Sequence, residues 1–147
     1  MFKSNFSRAL FFTLLFVVTA GSACAENMKK LGAMDVHYMA LSATFLTPEV
    51  AKAYGIERSR YNGLINISVL DNSKANKPAK NVAIIATAKN NLGQIKRLDF
   101  EEVQEGDAIY YLAQIRFRDQ EEFEFEVEIT DGTTTERLTF KQKFYAE

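Results

Sequence analysis

Phe45 to Leu70, FLTPEVAKAYGIERSRYNGLINISVL, decides how the rest of the chain reads, because only here does the local chemistry leave a strand pattern, form one short helix and return to a strand. Thr47 is a good N-cap, and Pro48 falls at the first helical position, where a missing N–H costs nothing and a fixed φ helps. Glu49 in the first turn meets the positive end of the helix dipole. Gly55 supplies the left-handed residue that ends the helix after Tyr54, and Ile56 is placed to fold back on Val50 or Ala51 as the hydrophobic closure of a Schellman-type cap. The stretch is therefore helix between strands, with both helix ends encoded locally.

N-terminal to it, Val36 to Phe45 alternates with period two, His37, Met39, Leu41, Ala43 and Phe45 on one side and Tyr38, Ala40, Ser42 and Thr44 on the other. The first set is expected to face the core. Glu26 to Ala33 reads as a polar leader. C-terminal to the helix, Gly63 opens a strand over Leu64 to Leu70, and Asp71 to Asn81 has loop composition. Val82 to Lys89, apolar on both faces and β-branched, suits a central strand. Asn90 to Gly93 turns the chain into a strand over Gln94 to Val103, and Glu105-Gly106-Asp107 turns it into another over Ala108 to Arg118.

The last hairpin alternates Phe123, Phe125, Val127 and Ile129 with Glu122, Glu124, Glu126 and Glu128, followed by Asp131-Gly132, a two-residue type I′ turn signal. That turn would set Phe123 opposite Phe140 and Phe125 opposite Leu138 on one face, and Glu122 opposite Lys141 and Glu126 opposite Arg137 on the other. Seven short strands with regularly spaced turns and one short helix predict an all-β, immunoglobulin-like antiparallel sandwich, with a small antiparallel β-barrel as the alternative.

Residues 1 to 25 read as an export signal: Lys3 and Arg8 form the positive region, Ala9 to Ala20 is a continuous apolar run, and Ala23-Cys24-Ala25 has the small residues of a cleavage site. The expectation is cleavage after Ala25, leaving residues 26 to 147 as one sandwich domain in the periplasm. The run is shorter than the roughly 20 apolar residues of a comfortable membrane span. Gly21-Ser22-Ala23-Cys24 offers an alternative, since it partly resembles the lipobox of bacterial lipoproteins, with Gly21 where Leu is usual; Cys24 would then carry a lipid anchor.

The 122 residues after the signal hold 16 basic and 19 acidic side chains, a formal charge of −3. This mild acidity offers no overall attraction to nucleic acid. The single cysteine leaves with the signal or becomes its anchor, which excludes thiol catalysis, zinc–thiolate sites and internal disulfides from the domain. No Gly-rich phosphate loop is present, and no cofactor is implied.

The LTPEVAKAYGI segment, followed by NGLINISVL and preceded by an export signal, resembles a family of small periplasmic proteins of Gram-negative bacteria catalogued as domain of unknown function 4426. The resemblance covers the chain beyond the signal and is most specific from Leu46 to Leu70. It implies a periplasmic location and a β-rich domain, and it brings no reaction, cofactor or catalytic residue.

Candidate chemistry then rests on the residues. A hydrolase normally needs a base that titrates near neutrality, and His37 is the one histidine, with no Cys or second His near it in sequence. Glu101-Glu102 and Glu121-Glu122 are adjacent on strands and point to opposite faces, so neither pair shares a proton site. His37 and Met39, two apart on a strand, project side by side and could offer imidazole and thioether to copper(I), with Met28 or Met34 as a further soft ligand. Arg58, Arg60 and Tyr61 after the helix, and Lys74, Lys77 and Lys80 in the longest loop, would form a basic contact surface if the two loops met at one end of the sandwich. The reading that follows is a non-catalytic periplasmic binding or accessory module contacting another envelope protein. A copper carrier using His37 and Met39, or an enzyme of unidentified reaction, is the alternative.

Overall fold

The structure, a computed structural model, describes residues 26–147; the expected export signal over residues 1 to 25, its expected cleavage site and Cys24 lie outside the described residues. The strands are β1 (Asn27–Leu31), β2 (Met34–Ser42), β3 (Asn62–Asp71), β4 (Ala83–Asn90), β5 (Ile95–Leu98), β6 (Glu101–Glu105), β7 (Ala108–Arg116), β8 (Glu121–Thr130) and β9 (Thr135–Phe144), with one helix, α1 (Pro48–Ala53). All pairings are antiparallel and form two sheets, β1-β2-β3-β7-β6 and β5-β4-β8-β9, which do not close into a barrel. With β1 set aside as an added edge, this is the strand order of an immunoglobulin-type sandwich.

Helix α1 forms where the local signals put it. Thr47 Oγ1 accepts from the Val50 N–H at 3.3 Å, Gly55 has φ 65°, and Ile56 and Gly55 donate their N–H groups to the carbonyls of Ala51 and Lys52 at 2.8 and 3.3 Å. These are the two bonds of a Schellman cap, and Ile56 closes it by packing with Ala51.

The main core lies between the sheets. Its centre is Val36, Ile65, Ile67, Phe123, Phe125 and Val127, all fully buried. Phe125 stacks on Phe140 with centroids 4.7 Å apart, and Phe117 on Phe144 at 4.8 Å. Gly63 makes room for this cluster: a Cβ there would lie 2.8 Å from the Phe144 ring. A second, smaller cluster of Leu41, Ala43, Ala51, Ile56 and Leu64 joins α1 to the outer face of the first sheet.

Four expectations are corrected. First, β2 turns the other face inward: Met34 and Val36 are fully buried in the main core with Tyr38 and Ala40 against it, while Leu41 and Met39 belong to the cluster under α1. Both faces of β2 carry apolar residues, so alternation alone does not choose between them. The strand also ends at Ser42 and passes into a 3₁₀ turn, Ala43–Phe45. Second, part of the polar leader is strand: Asn27–Leu31 pairs along β2 as an edge, where charged side chains remain solvated. Third, Gln94 to Val103 is not one strand; the chain changes sheet at Asp99-Phe100, between β5 and β6, with no Gly or Pro to mark it.

Fourth, the β8–β9 hairpin has a four-residue loop. Its last pair is Thr130 with Thr135, and the Asp131 carboxylate accepts from the N–H groups of Thr133 and Thr134, each at 2.9 Å. An Asx-type loop thus replaces the type I′ turn. Every partner moves by two residues: Phe125 faces Phe140, Val127 faces Leu138 and Glu128 faces Arg137. A shift of two preserves both faces, so the aromatic and charged rows stay where the alternation puts them.

Candidate functional site

The two basic loops do not meet. Arg58, Arg60 and Tyr61 precede β3 and Lys74, Lys77 and Lys80 follow it, so the ten-residue strand separates them, roughly 30 Å at the usual strand rise. Their cationic groups also have partners within the fold. Arg58 Nε donates to the Leu46 carbonyl at 2.7 Å, pinning the chain that enters α1. Arg60 Nη2 donates to the Ala146 carbonyl at 3.0 Å, and the guanidinium lies 5.3 Å from the Tyr61 ring centroid. Lys74 lies 3.9 Å from Asp71, Lys77 2.8 Å from Asp35 and Lys80 2.7 Å from Asp131.

The aspartates record these contacts. The Lys77 ammonium, then the Asn72 amide, hold the Asp35 carboxyl below the usual range; Lys80, then the Thr134 and Thr133 N–H groups, do the same for Asp131; the Ser73 hydroxyl and N–H do it for Asp71. The loop backbone is pinned as well, with Lys80 N–H donating to Val69 and Asp71 N–H to Pro78. These residues close one end of the sandwich.

The outer face of the five-stranded sheet gathers chemistry instead. Opposed residues of paired strands share a face. Met28 of β1 faces His37, and Ser68 of β3 faces His37 from the other side, while Met39 faces Asn66. Met28, His37 and Met39 therefore project together. Met34 does not join them, because it is fully buried in the main core. His37 Nδ1 lies 3.1 Å from the Glu26 carboxylate; a proton on Nδ1 donated to that carboxylate leaves Nε2 free as a ligand. A cavity of about 170 Å³ opens here, lined by Glu26, His37, Met39, Asn66, Ser68 and Tyr110 among others. Among the described residues no three His, Cys, Asp or Glu side chains converge to hold a metal. A metal on this face would have to use the thioethers. Glu101-Glu102 does not form a proton site: the two point to opposite faces, and Glu102 accepts from Asn81 at 2.6 Å.

An adjoining groove was not foreseen. It has a volume of about 400 Å³ and runs between α1 and β6, with Leu41, Leu64 and Leu112 in its floor and Val50, Tyr54 and Val103 along its sides. Met39, Asn66 and Tyr110 line both this groove and the His37 cavity. Asn66 Oδ1 is buried without a hydrogen-bond partner. A sequence signal did exist: Leu41, Leu64 and Leu112 break the polar face that the outside of a sandwich sheet normally shows. Recognising it requires the pairing of β2, β3 and β7.

Among the described residues no helix is long and apolar enough to cross a membrane. A comparison with curated proteins finds no match. Among solved structures, the chain is similar to a DUF4426 family protein of Pseudomonas aeruginosa PAO1, at 30% identity over 83% of this chain and 96% of that one, with a TM-score of 0.72. More distant likeness extends to FetP of uropathogenic Escherichia coli strain F11. A copper-bound FetP variant gives 13% identity over 84% of this chain and 97% of that one, with a TM-score of 0.57. FetP as isolated after expression in the periplasm gives 12% identity over 84% and 95%, with a TM-score of 0.55. At that identity FetP shares the fold alone. The model of a domain of unknown function, DUF4426, matches residues 28–147, and the chain belongs to that family.

Proposed function

We propose that the domain is a non-catalytic binding protein of the periplasm and that it holds copper(I) through His37, Met39 and Met28. The observation that supports this reading is the β1–β2 register, which sets Met28 opposite His37 on the face that carries Met39. Opposed and diagonal side chains on neighbouring strands lie within reach of each other, and methionine is long enough to close the remaining gap. Thioether and imidazole are ligands that select copper(I) over hard cations. Glu26 supplies the second-shell contact that fixes an imidazole ligand's orientation and tautomer. The copper-bound FetP neighbour adds that a sandwich of this shape carries copper in another protein. The export signal adds a compartment, and contact with another envelope protein would serve delivery or collection of the ion.

An anaerobic copper(I) titration against a chromogenic competing chelator tests this, in a Cys24→Ser background so that the leader thiol does not bind the ion. One ion per chain is expected, with strong loss of affinity in His37→Ala and Met39→Leu and a smaller loss in Met28→Leu. Glu26→Gln should cost roughly ten-fold through the second shell, and Met34→Leu should change nothing. Equal affinity across these variants, or no copper(I) bound, would sink the reading.

A further inference from the structure

The methionines among the described residues, Met28, Met34 and Met39, differ in how far solvent reaches them. Met34 is fully buried in the main core and Met39 is half-buried on the outer face, but Met28 is 54% exposed. Its strand is the edge of the five-stranded sheet, so β2 flanks the side chain on one side only. A thioether is oxidised where an oxidant reaches its sulfur, and the polar product disrupts a core when it forms inside one. At Met28 the sulfoxide oxygen can stay in water, so oxidation there leaves the packing between the sheets untouched.

We propose that Met28 is an oxidation switch on this face, converted to its sulfoxide by peroxide while Met39 and Met34 stay reduced; the proposal rests on the copper(I) reading of the His37 site. The sulfur lone pair attacks one peroxide oxygen, the S–O bond forms as the O–O bond breaks, and the second oxygen takes the proton of the first and leaves as water. Sulfur loses two electrons and the peroxide gains them, so no further reactant is needed. Soft thioether sulfur selects copper(I), whereas a sulfoxide presents a hard oxygen. His37 and Met39 remain as ligands, and the Glu26 contact that orients the imidazole does not involve Met28. Oxidation therefore loosens the ion and not the fold. Exposure also makes the change reversible, since a sulfoxide in solvent is within reach of a methionine sulfoxide reductase.

The test treats the metal-free full chain, in the Cys24→Ser background, with graded hydrogen peroxide, removes the peroxide, locates each sulfoxide by peptide mass mapping and titrates copper(I) before and after. Met28 should oxidise several-fold faster than Met39, and Met34 only once the chain unfolds. Protein oxidised at Met28 alone should lose at least the copper(I) affinity lost in Met28→Leu, keep its melting temperature, and recover its affinity after treatment with methionine sulfoxide reductase. The same dose of peroxide should leave the affinity of Met28→Leu where it was. Met39 oxidised as fast as Met28, or an unchanged affinity once Met28 is the sulfoxide, would overturn the switch alone. A reduced chain that takes up no copper(I) would instead sink the copper reading, and the switch with it.

Discussion

Lys77 Nζ lies 2.8 Å from Oδ2 of Asp35, a residue only 3% exposed, and the Asn72 amide donates to the other oxygen of the same carboxylate at 3.0 Å. The pair ties the loop after β3 to the start of β2. The Asp35 side chain is buried while Lys77 is half-exposed, so removing the ammonium leaves a buried carboxylate with the Asn72 amide as its remaining partner, which costs more than losing a surface ion pair. Lys77→Met should therefore lower the melting temperature by several degrees. Lys74→Met, whose partner lies 3.9 Å away near the surface, should stay within the roughly 0.5 kcal/mol usual for surface changes. Thermal melts of the two variants decide it; equal melting temperatures would make Lys77 an ordinary surface cation.

Asp131 and Lys80 give the fold a pH window. Lys80 and the loop N–H groups hold the Asp131 carboxyl well below the ordinary range, so the folded state binds fewer protons than the unfolded chain. That contribution is complete above the unfolded value of about 3.9 and is lost as pH falls toward the folded one. Lys80 is raised, chiefly by its hydrogen bond to Asp131, so its contribution is complete below about pH 10.4 and is lost as pH rises through the folded value. The gap in melting temperature between wild type and Asp131→Asn should be flat from about pH 5 to 9 and close at both extremes. Melts from acid to alkali measure it, and a gap that widens below pH 4 would contradict the assignment.

Gly63 sits where β3 passes the Phe144 ring. Its conformation is ordinary, so only space resists a side chain there: the added Cβ would lie 2.8 Å from Phe144 and 3.1 Å from Ile115. Gly63→Ala should cost about 1–3 kcal/mol by overpacking. Combining it with Phe144→Leu should cost less than the two changes added together, because the ring is the obstacle. Denaturant unfolding of the four proteins in the cycle gives the coupling, and strict additivity would place the strain elsewhere.

Arg58 reaches from the loop after α1 to the Leu46 and Thr44 carbonyls before it. It clasps a short helix that has little intrinsic stability of its own. Arg58→Ala should accelerate amide exchange from Leu46 to Ile56 while leaving β8 and β9 unchanged. Uniform acceleration across the sandwich would mean that the helix is not a separate unit of opening.

What was legible in the chain was whatever is decided within a few residues. The cap residues Thr47, Pro48, Gly55 and Ile56 act on their own neighbours, and the structure carries every bond they imply. The β8–β9 pairing depends on loop length, and side-chain chemistry could not detect a shift of two because it leaves both faces intact. The inward face of β2 was illegible for a related reason: Val36 and Leu41 belong to opposite faces, and both are buried. His37 and Met39 could be placed together because they are two apart on one strand. Met28 could be named but not placed until β1 was recognised as a strand, and the groove around Asn66 exists only once five separate elements, β2, α1, β3, β6 and β7, are assembled.

β1 is an edge strand, hydrogen-bonded to β2 and, among the described residues, to no other strand. Edge strands with solvated charges fray before the strands they lean on. Glu26 and Met28 travel with this one, so each time it peels away, His37 loses its orienting carboxylate and its thioether neighbour in one event. Residence of an ion at this face and closure of the first strand would then be a single equilibrium, and the dwell time of the ion would be set by the unzipping rate of five residues rather than by the strength of any one metal–ligand bond.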